Sequence, residues 1–242
     1  MATLLIMNRR LAAAFDESGS TLPLEVARRA RLRADLSLVK DFQREEVQIP
    51  AMATVAELRT EYDRLYGSAK PGTIAPKFEE ESSNLRADVE RRKQREIREK
   101  LDRALKNSLQ FEVLTSPTPA LSGLPVPMFW INGSVYTGES LADFASMGSS
   151  TFKPTTSTLE RFEDMALFLE AAKAKGRTET ETYRLRLEIA MNDAKAREWI
   201  RKQVPASTNP AEFETQRLKF MQDYAETMKF DWNADALAPY AL

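Results

Sequence analysis

Between Leu85 and Leu109 an apolar residue returns at every fourth or eighth position, as Leu85, Val89, Ile97, Leu101, Leu105 and Leu109. Steps of four keep these side chains along one edge of an α-helix, whereas a half-buried strand needs a step of two. One long helix is therefore expected, and the other elements must pack beside it.

Helical punctuation continues on both sides. Leu4, Leu11 and Phe15 share a face ahead of the polar break at Asp16-Glu-Ser-Gly-Ser20. Pro23, with its fixed φ, suits the first turn of a second helix, where Glu25 complements the helix dipole. Leu32, Leu36, Val39 and Phe42 form its stripe, and Ile49 before Pro50 should end the element. Thr54-Val-Ala-Glu57 reads as a capping box, opening a helix with Leu58, Tyr62 and Leu65 and stopping at a left-handed Gly67. Ser157-Thr-Leu-Glu160 reads as a second capping box, ahead of Leu159, Phe162, Met165, Phe168, Leu169 and Ala172, with Lys173, Lys175 and Gly176 at the C-terminal end. The stretch from 180 to 190 carries two periods. Tyr183, Leu185, Leu187 and Ile189 alternate with charges, but Tyr183, Leu187, Ala190 and Ala194 make a helical stripe, and good helix formers up to Trp199 favour helix. Asn209-Pro-Ala-Glu212 caps a last helix through Phe213, Phe220, Met221, Tyr224 and Met228.

The middle differs. Phe111 to Leu114 is strand-like, and Pro117, Pro119, Pro125 and Pro127 forbid a continuous helix. Asn132-Gly133 between Val126–Ile131 and Ser134–Thr137 tolerates the two positive φ angles of a type I′ hairpin turn. A short helix over Leu141–Met147 follows. The fold class expected is mainly α, with bundle-like helix packing and a small β-hairpin or sheet as the minority component. Three regions follow along the chain: helical 1–112, proline-rich 113–156, and helical 157–242 with an aromatic tail.

The run Val126-Pro-Met-Phe-Trp-Ile-Asn-Gly133, with its hairpin and following helix, is similar to the cis-proline hairpin of thioredoxin-fold proteins. That family's Cys-x-x-Cys has no counterpart here, and no strand–helix–strand unit precedes the hairpin. The resemblance therefore implies at most a binding domain without redox activity.

Composition narrows the chemistry. The chain has no cysteine and no histidine. Disulfides, thiolate nucleophiles, zinc–thiolate and iron–sulfur sites, and Ser-His-Asp or Cys-His catalysis are excluded with them. No cofactor is expected. The 35 basic and 36 acidic residues leave a net charge of −1, so no global field steers the chain to nucleic acid or an anionic membrane. The apolar run Leu4–Met7 is too short to span a bilayer, and Arg9 and Arg10 follow it, where a secretory signal would place them before. A cytoplasmic or virion location is expected, with an arginine-bearing mitochondrial presequence as the alternative.

Four local features carry candidate function. From Glu90 to Arg103 seven basic and four acidic residues share the long helix. Arg91, Arg92, Lys93, Arg95 and Arg98 are candidate nucleic-acid contacts within a basic helix 86–103. The competing reading is a solvated face laced by Glu96–Lys100 and Glu99–Arg103 pairs. Gly67-Ser-Ala-Lys-Pro-Gly72-Thr73 has the glycine spacing of a phosphate loop, but Thr73 stands where lysine is required. Glu79, Glu80 and Glu81 could bind a hard cation, though the bland reading, acids at a helix N-terminus, is stronger. The tail from Phe230 to Leu242, with Trp232 and Tyr240, is aromatic for a terminus and reads either as docked on its own domain or as an anchor for a partner.

Charged helix faces, a proline-rich waist, an aromatic tail and no reaction centre give the chain an overall character that resembles virion or tail-assembly proteins of tailed bacteriophages. The resemblance implies a non-enzymatic structural or assembly protein working through protein–protein contacts, as a homo- or hetero-oligomer and without a membrane. The alternatives are a nucleic-acid-binding accessory protein and a carboxylate-dependent enzyme.

Overall fold

The computed structural model describes residues 2–67, 76–147, 154–204 and 209–227. Within them lie α1 (Ala2–Glu17), α2 (Leu24–Gln43), α3 (Val55–Tyr66), α4 (Phe78–Ser108), β1 (Glu112–Val113), β2 (Pro127–Ile131), β3 (Ser134–Thr137), α5 (Gly138–Ser146), α6 (Thr156–Ala174), α7 (Glu181–Gln203) and α8 (Pro210–Thr227). The protein is mainly α-helical with one small antiparallel sheet, ordered β1-β2-β3. Among the described residues no helix is long and apolar enough to cross a membrane. The chain forms two compact units, one from Met1–Ala30 with Leu187–Leu242 and the other from Arg31–Arg186. This grouping joins the chain's two ends, while the three regions drawn from composition run in chain order.

In the first unit Met7 and Leu11 of α1 meet Ala196, Ile200 and Val204 of α7 and its following turn, and Phe213, Phe220 and Met221 of α8 pack against them. A second cluster sets Ala30 against Ala190 and Ala194, where small side chains let helices approach closely. Lys195 bonds Asp16 at 2.7 Å, and Lys202 lies 5.2 Å from the Phe15 ring centre. The ambiguous 180–190 stretch is helix, part of α7. Its alternating Leu185 and Ile189 are exposed and its helical-stripe members Tyr183, Ala190 and Ala194 are buried.

The second unit is organised by α4, α6 and the sheet. Asn132 and Gly133 have φ of 48° and 90°, both positive as a type I′ turn demands, and Trp130 pairs with Val135 across the hairpin. The sheet's inner face presents Phe129, whose ring centre lies 5.5 Å from Tyr136, 5.6 Å from Phe162 and 5.9 Å from Phe111. Gly138 opens α5 hard against the turn before the hairpin: a Cβ there would stand 1.9 Å from the Leu121 carbonyl oxygen. The sheet is antiparallel throughout and the described peptide bonds are trans, so among the described residues neither the parallel unit nor the cis-proline implied by the thioredoxin resemblance is present.

Three local details differ from expectation. Gly67 is not left-handed: at φ −65° it continues the helical bond to the Asp63 carbonyl (2.7 Å), and glycine is required because a Cβ would come within 2.4 Å of that oxygen. The second capping box starts two residues early, with Thr155 and Thr158 exchanging bonds at 3.2 Å, because a threonine hydroxyl serves in place of glutamate. Past Gln43 the helix widens into a π-turn, Arg44–Gln48, before Pro50 ends it. The first capping box forms as read, with Thr54 N–H donating to Glu57 at 2.8 Å.

Candidate functional site on the long helix

The long helix lies between carboxylates that the local sequence does not reveal. Leu85 and Val89 bury against Ala53 and Leu58, which fastens the N-terminal half of α4 to α3. This contact turns Arg92 and Lys93 toward α3. Arg92 reaches Glu61 at 3.3 Å, and Lys93 donates to Glu57 at 2.9 Å and to the Met52 carbonyl at 3.0 Å. One turn on, Arg98 pairs with Asp164 of α6 and lies 5.7 Å from the Phe168 ring centre. Arg91 pairs with Asp88 at 3.2 Å. Of the five sequence-predicted cations only Arg95 has no hydrogen-bond or ion-pair partner among the described residues. The positive excess read from Glu90 to Arg103 is therefore largely cancelled by Glu57, Glu61 and Asp164, which come from outside that stretch.

These pairs leave an electrostatic mark. The Glu57 carboxyl is held down to about 2, chiefly by the Thr54 N–H and then by Lys93. Glu61 is held at about 2 by Arg64 first and Arg92 second. Arg103 Nε donates to the Glu99 carbonyl oxygen at 3.2 Å.

The fold brings Arg91, Arg95 and Arg98 to one edge of α4, where they border a cavity of about 310 Å³ with residues of α2, the π-turn and α6. Arg92 and Lys93 are not part of it. Beyond the π-turn sits a feature that the sequence reading passed over. Ile49, Met52 and Val55, three residues apart, are 50%, 59% and 60% exposed. They stand on a fixed support: Ile49 N–H bonds the Arg44 carbonyl at 2.8 Å, Met52 N–H the Ile49 carbonyl at 3.2 Å, and Ala53 N–H the Glu90 carboxylate at 3.0 Å. The only signal for it was the apolar composition of a segment that Pro50 marks as a turn.

Elsewhere in this unit the ionisable groups serve the interior. Tyr136 and Lys173 both donate to Glu170 at 2.7 Å, and Tyr183 donates to Asp35 at 2.7 Å. Burial pushes the Asp35 carboxyl up, and burial beside carboxylates pushes both phenols up. In the cavity beside Tyr183, Asp41 and Glu45 are held by Arg186 and Arg177, so this site offers no free acid–base pair. Glu79, Glu80 and Glu81 lie in the first turn of α4, and among the described residues no acidic cluster could hold a metal. The phosphate-loop spacing at 67–73 and the tail residues Phe230, Trp232, Tyr240 and Leu242 lie outside the described residues, apart from Gly67.

No protein family matches the chain, and comparison with curated proteins and with solved structures returns no match.

Proposed function

We propose that this chain is a non-enzymatic structural or assembly protein that joins a second copy of itself through the Ile49–Met52–Val55 shoulder. The observation that carries the reading is this trio of large apolar side chains displayed on a hydrogen-bonded turn beside a capped helix. Apolar surface displayed this way is characteristic of contact sites, because its burial needs little further ordering. Two features favour a like partner. The rim carries both signs side by side, Lys93 with Glu57 and Arg86 with Glu90, as a self-complementary two-fold contact requires. A net charge of −1 also leaves little repulsion between copies. The overall character shared with tailed-phage assembly proteins agrees with this reading and supplies no residue to it.

Because the chain lacks cysteine, a single Met52→Cys substitution gives a clean test under mild oxidation. A disulfide-linked dimer is expected from Met52→Cys and not from Leu24→Cys, which is more accessible, 80% against 59%, but remote in sequence. Equal yields from both, or none from Met52→Cys, would overturn the reading. The tail is proposed as a further contact, and a chain lacking 230–242 should fold as before and assemble less tightly.

The nucleic-acid reading rests on Arg95, since Arg91, Arg92, Lys93 and Arg98 each have a carboxylate partner. Binding to duplex or single-stranded nucleic acid that weakens steeply with salt would restore it.

A further inference from the structure

We propose that the cavity bordered by Arg91, Arg95 and Arg98 is a binding site for a small phosphate-class dianion, with Arg95 as its anchor. The ligand is free phosphate or the phosphate end of a small phosphomonoester. The inference is independent of the shoulder.

Three guanidinium groups and three carboxamides, Gln43, Gln48 and Gln94, face the same space of about 310 Å³, and among the described residues no carboxylate lines it. Guanidinium groups are planar, permanently charged and matched to phosphate oxygens, and the amides add neutral donors. Arg95 is placed to take such a ligand. Arg91, Arg92, Lys93 and Arg98 of α4 are paired, while Arg95 borders the cavity with no partner among the described residues. Arg98 is already oriented, held by Asp164 on one side and by the Phe168 ring on the other, so little ordering remains to be done on binding. Arg91 is tied only to an exposed Asp88, a contact weak enough to exchange for a ligand oxygen.

The wall opposite α4 includes Gln48, carried on the π-turn Arg44–Gln48, and single π-turns inserted in helices recur at functional sites. Size then selects the ligand. The volume is at the low end for a small-molecule pocket, and Phe168, the one aromatic lining it among the described residues, is buried beneath Arg98, leaving no platform there for a stacked base. The geometry thus favours a compact anion over a polymer.

The test is calorimetric titration of the full chain with inorganic phosphate and with glycerol 3-phosphate, at constant ionic strength, with chloride as the control. Saturable one-site binding is expected, and Arg95→Ala should weaken it about tenfold or more, as loss of a charged hydrogen-bonding partner implies. Arg92→Ala, whose guanidinium sits with Glu61, should leave binding nearly unchanged. Circular dichroism should be the same for all three proteins, because Arg95 holds no other described residue by a hydrogen bond or ion pair. Tighter binding of the ester identifies a phosphomonoester as the ligand, and tighter binding of inorganic phosphate identifies the free ion. Heats no different from chloride, or equal losses from Arg92→Ala and Arg95→Ala, would overturn the proposal.

Discussion

The helices α4 and α6 are both long and strongly marked in sequence, yet they do opposite work. α6 is buried on most of its surface: Phe162, Met165, Ala166, Leu167, Phe168, Leu169, Ala171 and Ala172 are all inside. α4 has 31 residues and buries Leu85 and Val89. Helical periodicity therefore says where a helix runs, and the width of its apolar arc says whether it builds the core or presents a surface. The narrow stripe of α4 leaves the rest of its circumference for charges, and those charges are where candidate binding lies.

If the contrast holds, substitutions in α6 should cost stability and substitutions on the open edge of α4 should not. Phe162→Ala is expected to give the largest loss, about 3–5 kcal/mol in urea denaturation, since it empties the space between Phe129, Tyr136 and Phe144. Ile97→Ala on α4, at a half-buried position, should cost well under half of that, and a comparable cost would break the comparison. Tyr136→Phe should lose about 1–3 kcal/mol by taking one donor from buried Glu170. Thr54→Ala should lose about 1 kcal/mol by uncapping α3, the helix that anchors the basic face.

The smallest effect is the pH dependence of the α3–α4 contact. Glu57 and Glu61 titrate at about 2 when folded, against 4.5 ordinarily. Their contribution is fully present above pH 4.5 and is lost as pH falls toward 2. Asp35 works the other way, because burial raises its carboxyl above 3.8: it favours the fold most at low pH, and this is lost as pH rises through its folded value. A Glu57→Gln, Glu61→Gln double variant should flatten the acid limb of a stability-against-pH curve, and an unchanged limb would show that α3 does not hold the basic face.

Much of this architecture was legible from local chemistry. The Thr54–Glu57 box, the Asn132-Gly133 turn, the repeat from Leu85 to Leu109 and the buried stripe of α6 are each written within a few turns of chain, and each forms. The site was only half legible. Lys93, Arg92 and Arg98 find their carboxylates 36, 31 and 66 residues away, so a count of charges along one helix overstates its field. Which arginines line a cavity depended on the π-turn, and the propensities of Arg44 to Gln48 do not announce one. The shoulder was missed for a related reason: Ile49, Met52 and Val55 step by three, as a helix face does, but Pro50 breaks the helix among them, and only the fold decides whether a turn hides or displays its apolar side chains.

We propose that this molecule acts by displaying surfaces, the shoulder first among them. Sedimentation equilibrium of the full chain and of an Ile49→Ser, Met52→Ser, Val55→Ser variant tests it most directly. The wild-type chain should sediment above its 27.4 kDa monomer mass and dissociate on dilution, while the variant stays at the monomer mass with an unchanged circular dichroism spectrum. A monomeric wild-type chain at every concentration, or a variant that assembles equally well, would contradict it.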